Sequence, residues 1–249
     1  MTDEATAFVP GHLTGFFSAH PDDDPGIAGS RGAGVTLSHG VDVRVERGAR
    51  VGARPASITL NGECVAVDAV AGVRDALDAA DAAVIAKTPL PIGAGFGVSG
   101  ALALGVAYGI NAVYRRRRTE NGWIAIAHRA EVEAGTGLGD VVAQARGGVP
   151  IRLDPGDPGH GRLDAVPAAP RVEYVTFGSV STAAVLSGDT TRLSAAGERA
   201  LAGLREDPTP ARLAVLSRRF AREAGLLTDR VAEVVAGVRR EGGDAAMAM

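Results

Sequence analysis

Residues 91–101 read Pro-Ile-Gly-Ala-Gly-Phe-Gly-Val-Ser-Gly-Ala, with glycine at 93, 95 and 97 and again at 100. Glycines at every second position free the backbone to curl, so that successive N–H groups point inward at an anion. A helix beginning near Ser99 aims its positive end at the same spot. Loop and helix together predict a phosphate cradle made of backbone. The stretch is not a Walker A loop, because no Gly-Lys-Ser/Thr follows the glycines. Close packing of a helix on a strand is the alternative reading of the same glycines.

Working outward, Val84 to Lys87 is a strand that feeds the loop, and Thr88 to Tyr114 carries no charge at all. The early part of that run is broken by Pro89, Pro91 and the glycines. What remains for a helix, Ser99 to Tyr114, is shorter than the roughly 20 residues a membrane span needs, so a buried helix is expected. Upstream, Thr6 to Val9 reads as a short strand stopped by Pro10-Gly11, and Val41, Val43 and Val45 alternate with polar residues in strand fashion. Ser57–Leu60 and Glu63–Val67 flank Asn61-Gly62, a hairpin signal. Asp68 reads as the N-cap of a helix ending near Asp81. Downstream, helices are expected from Trp123 to Glu133 and from Leu138 to Ala145. The Pro-, Gly- and Asp-rich stretch 150–170 reads as a boundary or surface excursion. A strand at Arg171–Thr176 and helices from near Leu193, Thr209 and Thr228 follow. Without regular strand–helix alternation, the fold class is α+β.

Composition narrows the function. The 249 residues are 46% hydrophobic and 22% charged with a formal net charge of −3, a globular balance that gives no support to nucleic acid or an anionic membrane as partner. One cysteine, Cys64, excludes an internal disulfide framework and a multi-cysteine metal site. Met1 to Val9 carries Asp3 and Glu4 and lacks the features of a signal peptide, so a cytoplasmic location is expected.

A second cluster, residues 128–140, places Glu131 and Asp140 on either side of Gly135-Thr136-Gly137-Leu138-Gly139. Phosphoryl transfer needs a metal held by a carboxylate or hydroxyl and a group that takes the proton of the attacking alcohol. Glu131 and Asp140 suit those roles. The residues alone equally allow Glu131 as a solvated helix residue and Asp140 as an N-cap.

Taken with Pro10-Gly11-His12-Leu13-Thr14-Gly15-Phe16-Phe17, and with Gly147-Gly148 behind Asp140, these motifs resemble the GHMP kinases over essentially the whole chain. Within that superfamily the wording of the first motif and of the loop is similar to archaeal pantoate kinases. The resemblance implies a two-lobed α+β fold, with an ATP-binding domain over 1–150 and a C-terminal α+β domain over 151–249. It implies ATP and Mg²⁺ as cofactors and pantoate as acceptor, phosphorylated at its 4-hydroxyl on the route to coenzyme A, by a cytoplasmic homodimer. Homoserine or mevalonate as acceptor, or a non-catalytic nucleotide-binding role, are the alternatives. Pro91, Gly93, Ala94, Gly95, Gly97, Ser99 and Gly100 would hold the ATP phosphates, and Ser99 and Glu131 the metal. Asp140 falls where the family has its catalytic aspartate, and His12 stands where several relatives carry a lysine or arginine. His12, Thr14 and Arg31 form the expected acceptor side, Arg31 as carboxylate clamp between flanking glycines, with pairing on the surface as its other reading. Lys87 is a further candidate. Glu241 to Met249 resembles the opening of the family's third glycine motif, from which a C-terminal lobe incomplete at its end is expected.

Overall fold

The computed structural model describes residues 3–48, 57–178, 185, 188 and 190–248. Its spine is a pair of long strands, β1 (Glu4–His20) and β2 (Gly29–Glu46), antiparallel from Glu4 opposite Glu46 to His20 opposite Gly29. Val41, Val43 and Val45 are fully buried while Asp42 and Arg44 are exposed, as the period of two requires. The expected stop at Pro10-Gly11 does not occur. β1 runs through it, and the register slips between Pro10 and His12 and again between Thr14 and Phe16. Proline lacks an N–H and an irregular ladder absorbs the missing bond, so the signal read as a strand end is a bend within a strand. His12 and Thr14 are left on one face between the two irregularities.

The hairpin β3 (Ser57–Leu60) and β4 (Glu63–Ala66) turns at Asn61 (φ 52°) and Gly62 (φ 90°), as expected from Asn-Gly. β5 (Ala83–Lys87) lies parallel to β3 and antiparallel to the outer end of β2. The stretch 150–170 is part of the sheet rather than a surface excursion. It contributes β6 (Val149–Asp154) and β7 (Arg162–Val166), a hairpin that joins the inner end of β2 with Gly32 opposite Arg152. Its prolines and glycines sit largely in the connecting turn. The sheet order is β4-β3-β5-β2-β6-β7, with β1 along β2.

Among the described residues the helices are α1 (Asp68–Ala76), α2 (Val98–Tyr114), α3 (Glu120–Glu133), α4 (Asp140–Arg146), α5 (Thr191–Glu206), α6 (Pro210–Glu223) and α7 (Asp229–Arg240). Thr119, Thr209 and Thr228 cap α3, α6 and α7 by accepting backbone N–H bonds three residues on. In α1 the N-cap is Val67, not Asp68, which starts the helix and serves its positive end as a first-turn acid. That helix ends at Ala76 rather than near Asp81, with Asp78 in the left-handed region (φ 47°). Arg171–Thr176 forms no strand, because no neighbouring strand completes a ladder there among the described residues. Tyr174 instead sets its ring edge-on to Phe96 of the glycine loop, centroids 4.7 Å apart.

Two cores result. Helix α2 lies at the centre of the first, where Gly105 and Gly109 let its backbone close on Val43 and Val45. That central burial explains its uncharged sequence, and none of the described helices is long and apolar enough to cross a membrane. The second core packs α5 and α6 on Phe16, Phe17, Ala33, Val149 and Ile151. The same β1–β2 pair serves both, and its middle, at His12 and Thr14, sits where they meet.

Candidate active site

The glycine loop leads into α2 as expected. Gly93, Gly95 and Gly97 adopt φ of 75°, 82° and 63°, a region that side chains resist, and Gly97 is the N-cap of α2. Gly93, Gly95, Gly97 and Ser99 line a cavity of about 570 Å³, whereas Pro91 and Ala94 shape the turn and Gly100 is buried in the first turn of the helix. Ser99 Oγ donates to the Thr136 hydroxyl at 3.1 Å. Apolar walls from Leu60, Val65, Val67 and Leu102 face the same cavity.

Glu131, in the last turn of α3, is only 1% exposed, so it is no solvated helix residue. Neither carboxylate oxygen has a well-formed hydrogen bond; the Val141 N–H at the start of α4 is the backbone group that favours its ionised form. Gly100 and Gly137 make room for it: a Cβ on Gly100 would lie 2.9 and 3.1 Å from its two oxygens, and one on Gly137 would lie 2.6 Å from Oε1. Burial, reinforced by the nearby charge of Asp140, pushes this carboxyl well above the ordinary range. An unpaired buried carboxylate is costly, and a cation beside it removes the cost.

Asp140 opens α4 behind its N-cap Gly139, so the capping role belongs to the glycine's position and leaves the carboxylate free to face the cavity. His12 Nδ1 lies 2.6 Å from Asp140 Oδ1. Because a carboxylate only accepts, the imidazole proton sits on Nδ1 and is donated to Asp140. Burial holds His12 below its usual value despite the aspartate, so it is a neutral donor at neutral pH. Burial opposes the ionised form of Asp140, but the His12 hydrogen bond, the Arg152 charge and the Thr14 hydroxyl outweigh it and hold the carboxyl below its usual value.

The cation beside Asp140 is Arg152, on β6. It is 2% exposed, lines the cavity, and leaves Nε and Nη1 without partners. Arg31, expected as the clamp, is committed elsewhere: Nε donates to the Leu153 carbonyl at 2.6 Å and Nη1 to Glu198 at 2.7 Å, and it does not line the cavity. Lys87 is exposed at the end of β5 and also stands apart. His128 is a buried structural histidine by its donation to the Ala28 carbonyl at 2.9 Å.

Comparison with known proteins agrees with this geometry. The family described as GHMP kinases N terminal domain matches residues 65–148. The pantoate kinase of Thermococcus kodakarensis is 35% identical over 92% of this chain and 78% of its own length. That of Methanocaldococcus jannaschii is 33% identical over 91% and 83%. The chain belongs to the pantoate kinase family of GHMP kinases. A solved phosphotransferase related to the coenzyme A biosynthesis pathway superposes on it with a TM-score of 0.83 and 32% identity, covering 99% of this chain and 84% of its own.

For this GHMP kinase, sequence reasoning had located the loop, Glu131, Asp140 and His12, and the structure gathers the loop, Glu131, Asp140 and Thr14 around one cavity, with His12 buried behind Asp140. It missed Arg152, Ser30 and Gln144. Ser30 lines the cavity and donates to the Leu138 carbonyl at 3.2 Å. The one signal for Arg152 was its place between Ile151 and Leu153, an arginine amid a strand's apolar run.

Proposed function

We propose that this chain transfers the γ-phosphoryl group of ATP, bound as its magnesium complex, to the 4-hydroxyl of pantoate, giving 4-phosphopantoate on the route to coenzyme A. The observation that carries the reading is Arg152, a buried guanidinium with Nε and Nη1 free of hydrogen bonds in the same cavity as Asp140. A small hydroxy acid meets both demands, with its carboxylate on Arg152 in charge-assisted, two-pronged fashion and its hydroxyl toward Asp140. The relatives' names supply the identity of that acid. Phe17, 6% exposed and lining the cavity, offers an apolar surface for the acceptor's carbon skeleton.

Each residue then has a task. Backbone N–H groups of the loop and the start of α2 hold the phosphates. Glu131, whose two oxygens are orphaned, and the Ser99 hydroxyl suit a magnesium ion, which when bound neutralises phosphate charge. Asp140 orients the acceptor hydroxyl and takes its proton. Because its carboxyl is held below the ordinary range, it is a weak base, so the proton moves late, as the new O–P bond forms and the bond to the leaving phosphate breaks. His12 fixes the carboxylate's direction without adding charge. The proposal includes the division into lobes 1–150 and 151–249, a homodimer and a cytoplasmic location, on the strength of the family resemblance.

The deciding assay is ADP release from Mg·ATP by the purified chain with pantoate, homoserine, mevalonate or no acceptor. Stimulation by pantoate alone is expected. Equal rates with all acceptors, or stimulation only by another, would overturn the acceptor assignment.

A further inference from the structure

Gln144 is 3% exposed, one helical turn beyond Asp140 on α4, and the roles above do not use it. Its Nε2 donates to the Gly97 carbonyl at 2.8 Å. That carbonyl also accepts from Ala101 N at 3.0 Å, the first bond of α2. The carboxamide cannot be reversed, because its oxygen would then oppose the Gly97 oxygen. Oε1 therefore points the other way, where it has no partner. A Cβ placed on Gly100 would meet Gln144 Oε1 at 3.1 Å and the Glu131 oxygens at 2.9 and 3.1 Å, so three unpartnered oxygens converge at one spot beside the first turn of α2. On its other side, a Cβ on Gly97 would lie 2.8 Å from Gln144 Nε2 and 3.3 Å from Asp140 Cγ.

A buried amide whose donor is spent on the loop and whose acceptor is unspent beside an orphaned carboxylate is expensive as packing alone. We propose that Gln144 is a positioning residue for phosphoryl transfer, which locks the Gly97 peptide so that the amides after it face the phosphates, and adds an acceptor beside Glu131 for the water shell of a cation. It links the loop to the helix that carries Asp140. The inference rests on the kinase reading above.

The test is nucleotide binding by the full chain without acceptor, measured calorimetrically with ATP in Mg²⁺ and with ATP in EDTA, for wild type, Gln144→Met and Gln144→Glu. Met keeps the volume and loses both polar contacts, whereas Glu keeps an oxygen beside Glu131 and loses the donor. For Gln144→Met we expect Mg·ATP affinity to fall about five- to tenfold, metal-free ATP affinity to fall less, and the pantoate KM to stay within about twofold of wild type. Gln144→Glu should recover part of the magnesium-dependent loss and none of the metal-free loss. Unchanged Mg·ATP affinity in both variants overturns the inference. So does an equal loss in the nucleotide and pantoate parameters accompanied by a lowered Tm, which marks a structural residue. Failure of the wild type to bind nucleotide would instead overturn the kinase reading, so the two failures are told apart.

Discussion

From Gly93 to Ser99 the cavity presents backbone and uncharged side chains, whereas Asp140, Glu131 and Arg152 bring ionisable groups to it from two helices and a strand. In the proposed kinase the first region binds by backbone amides, which among substitutions only proline removes outright and which glycine alone permits where φ is left-handed. The second works by charges held out of water, each raising or lowering the others, so every side chain there is exposed to single substitutions. Damage to the two regions should therefore separate cleanly in kinetics. The sharpest test is Asp140→Asn, nearly the same in shape but unable to take a proton. It should lower kcat by about 10²–10⁴-fold while the affinity for Mg·ATP, measured by calorimetry, stays within a few-fold of wild type. Near-normal turnover would remove Asp140 as the base and erase the contrast.

Arg152→Ala comes next. Losing a charge-assisted contact of about 1.5–3 kcal/mol should raise the KM for pantoate by about ten- to a hundredfold, with the KM for ATP changed much less. Removing Arg152 also leaves Asp140 and Glu131 without a balancing charge, so a melting curve must accompany the kinetics. Equal increases in both KM values would show that Arg152 supports the cluster rather than meeting the acceptor.

What could be read in advance follows the same division. The loop was legible because its chemistry is contiguous: glycines at 93, 95 and 97 carry both the turn and the anion site in seven residues. The hairpin at Asn61-Gly62 and the threonine-capped helices were legible for the same local reason. The proposed acceptor side is assembled from positions 12, 14, 30, 140 and 152, and proximity there is created by the ladder pairing Gly32 with Arg152. Arg31 and Arg152 show the difficulty. Both sit on inner-end strands, and glycine flanks favoured Arg31, but one residue of register sends its guanidinium to Glu198 and Leu153 while Arg152 turns into the cavity. An arginine on a buried strand face looks like a surface position until its neighbours are known. Pro10-Gly11 misled for the opposite reason, a strong local signal overruled by a long strand pair on either side.

A middle-sized effect probes the backbone region directly. Gly97→Ala places a side chain at φ 63°, which costs about 1–2 kcal/mol, and sets its Cβ 2.8 Å from Gln144 Nε2. The melting temperature should fall by about 2–8 °C and the KM for ATP should rise several-fold, with the pantoate KM little changed. A variant that lost acceptor affinity instead would show the two regions to be one.

The smallest effect concerns the arginine that does not face the cavity. Glu198 accepts from the Ser18 hydroxyl at 2.6 Å and pairs with Arg31, its side chain being 38% exposed. Burial alone would raise its carboxyl, but the Ser18 bond, the Arg31 charge and the His20 contact hold it below the ordinary value. A carboxylate lowered in the folded state stabilises that state at every pH above its unfolded value of about 4.3, and this contribution vanishes as pH falls through the lowered folded value. Solvent screening limits it to about 1 kcal/mol or less. Glu198→Gln should therefore melt slightly below wild type at pH 7, and the difference should close as the pH is taken below about 4. Arg31→Ala should show the same small deficit at pH 7, with the pantoate KM within about twofold of wild type, since a surface pair of this kind is worth little. A pantoate KM raised as far as in Arg152→Ala would return the carboxylate clamp to Arg31. A Glu198→Gln deficit that persists unchanged at low pH would trace to packing of α5 on β1 rather than to the ion pair.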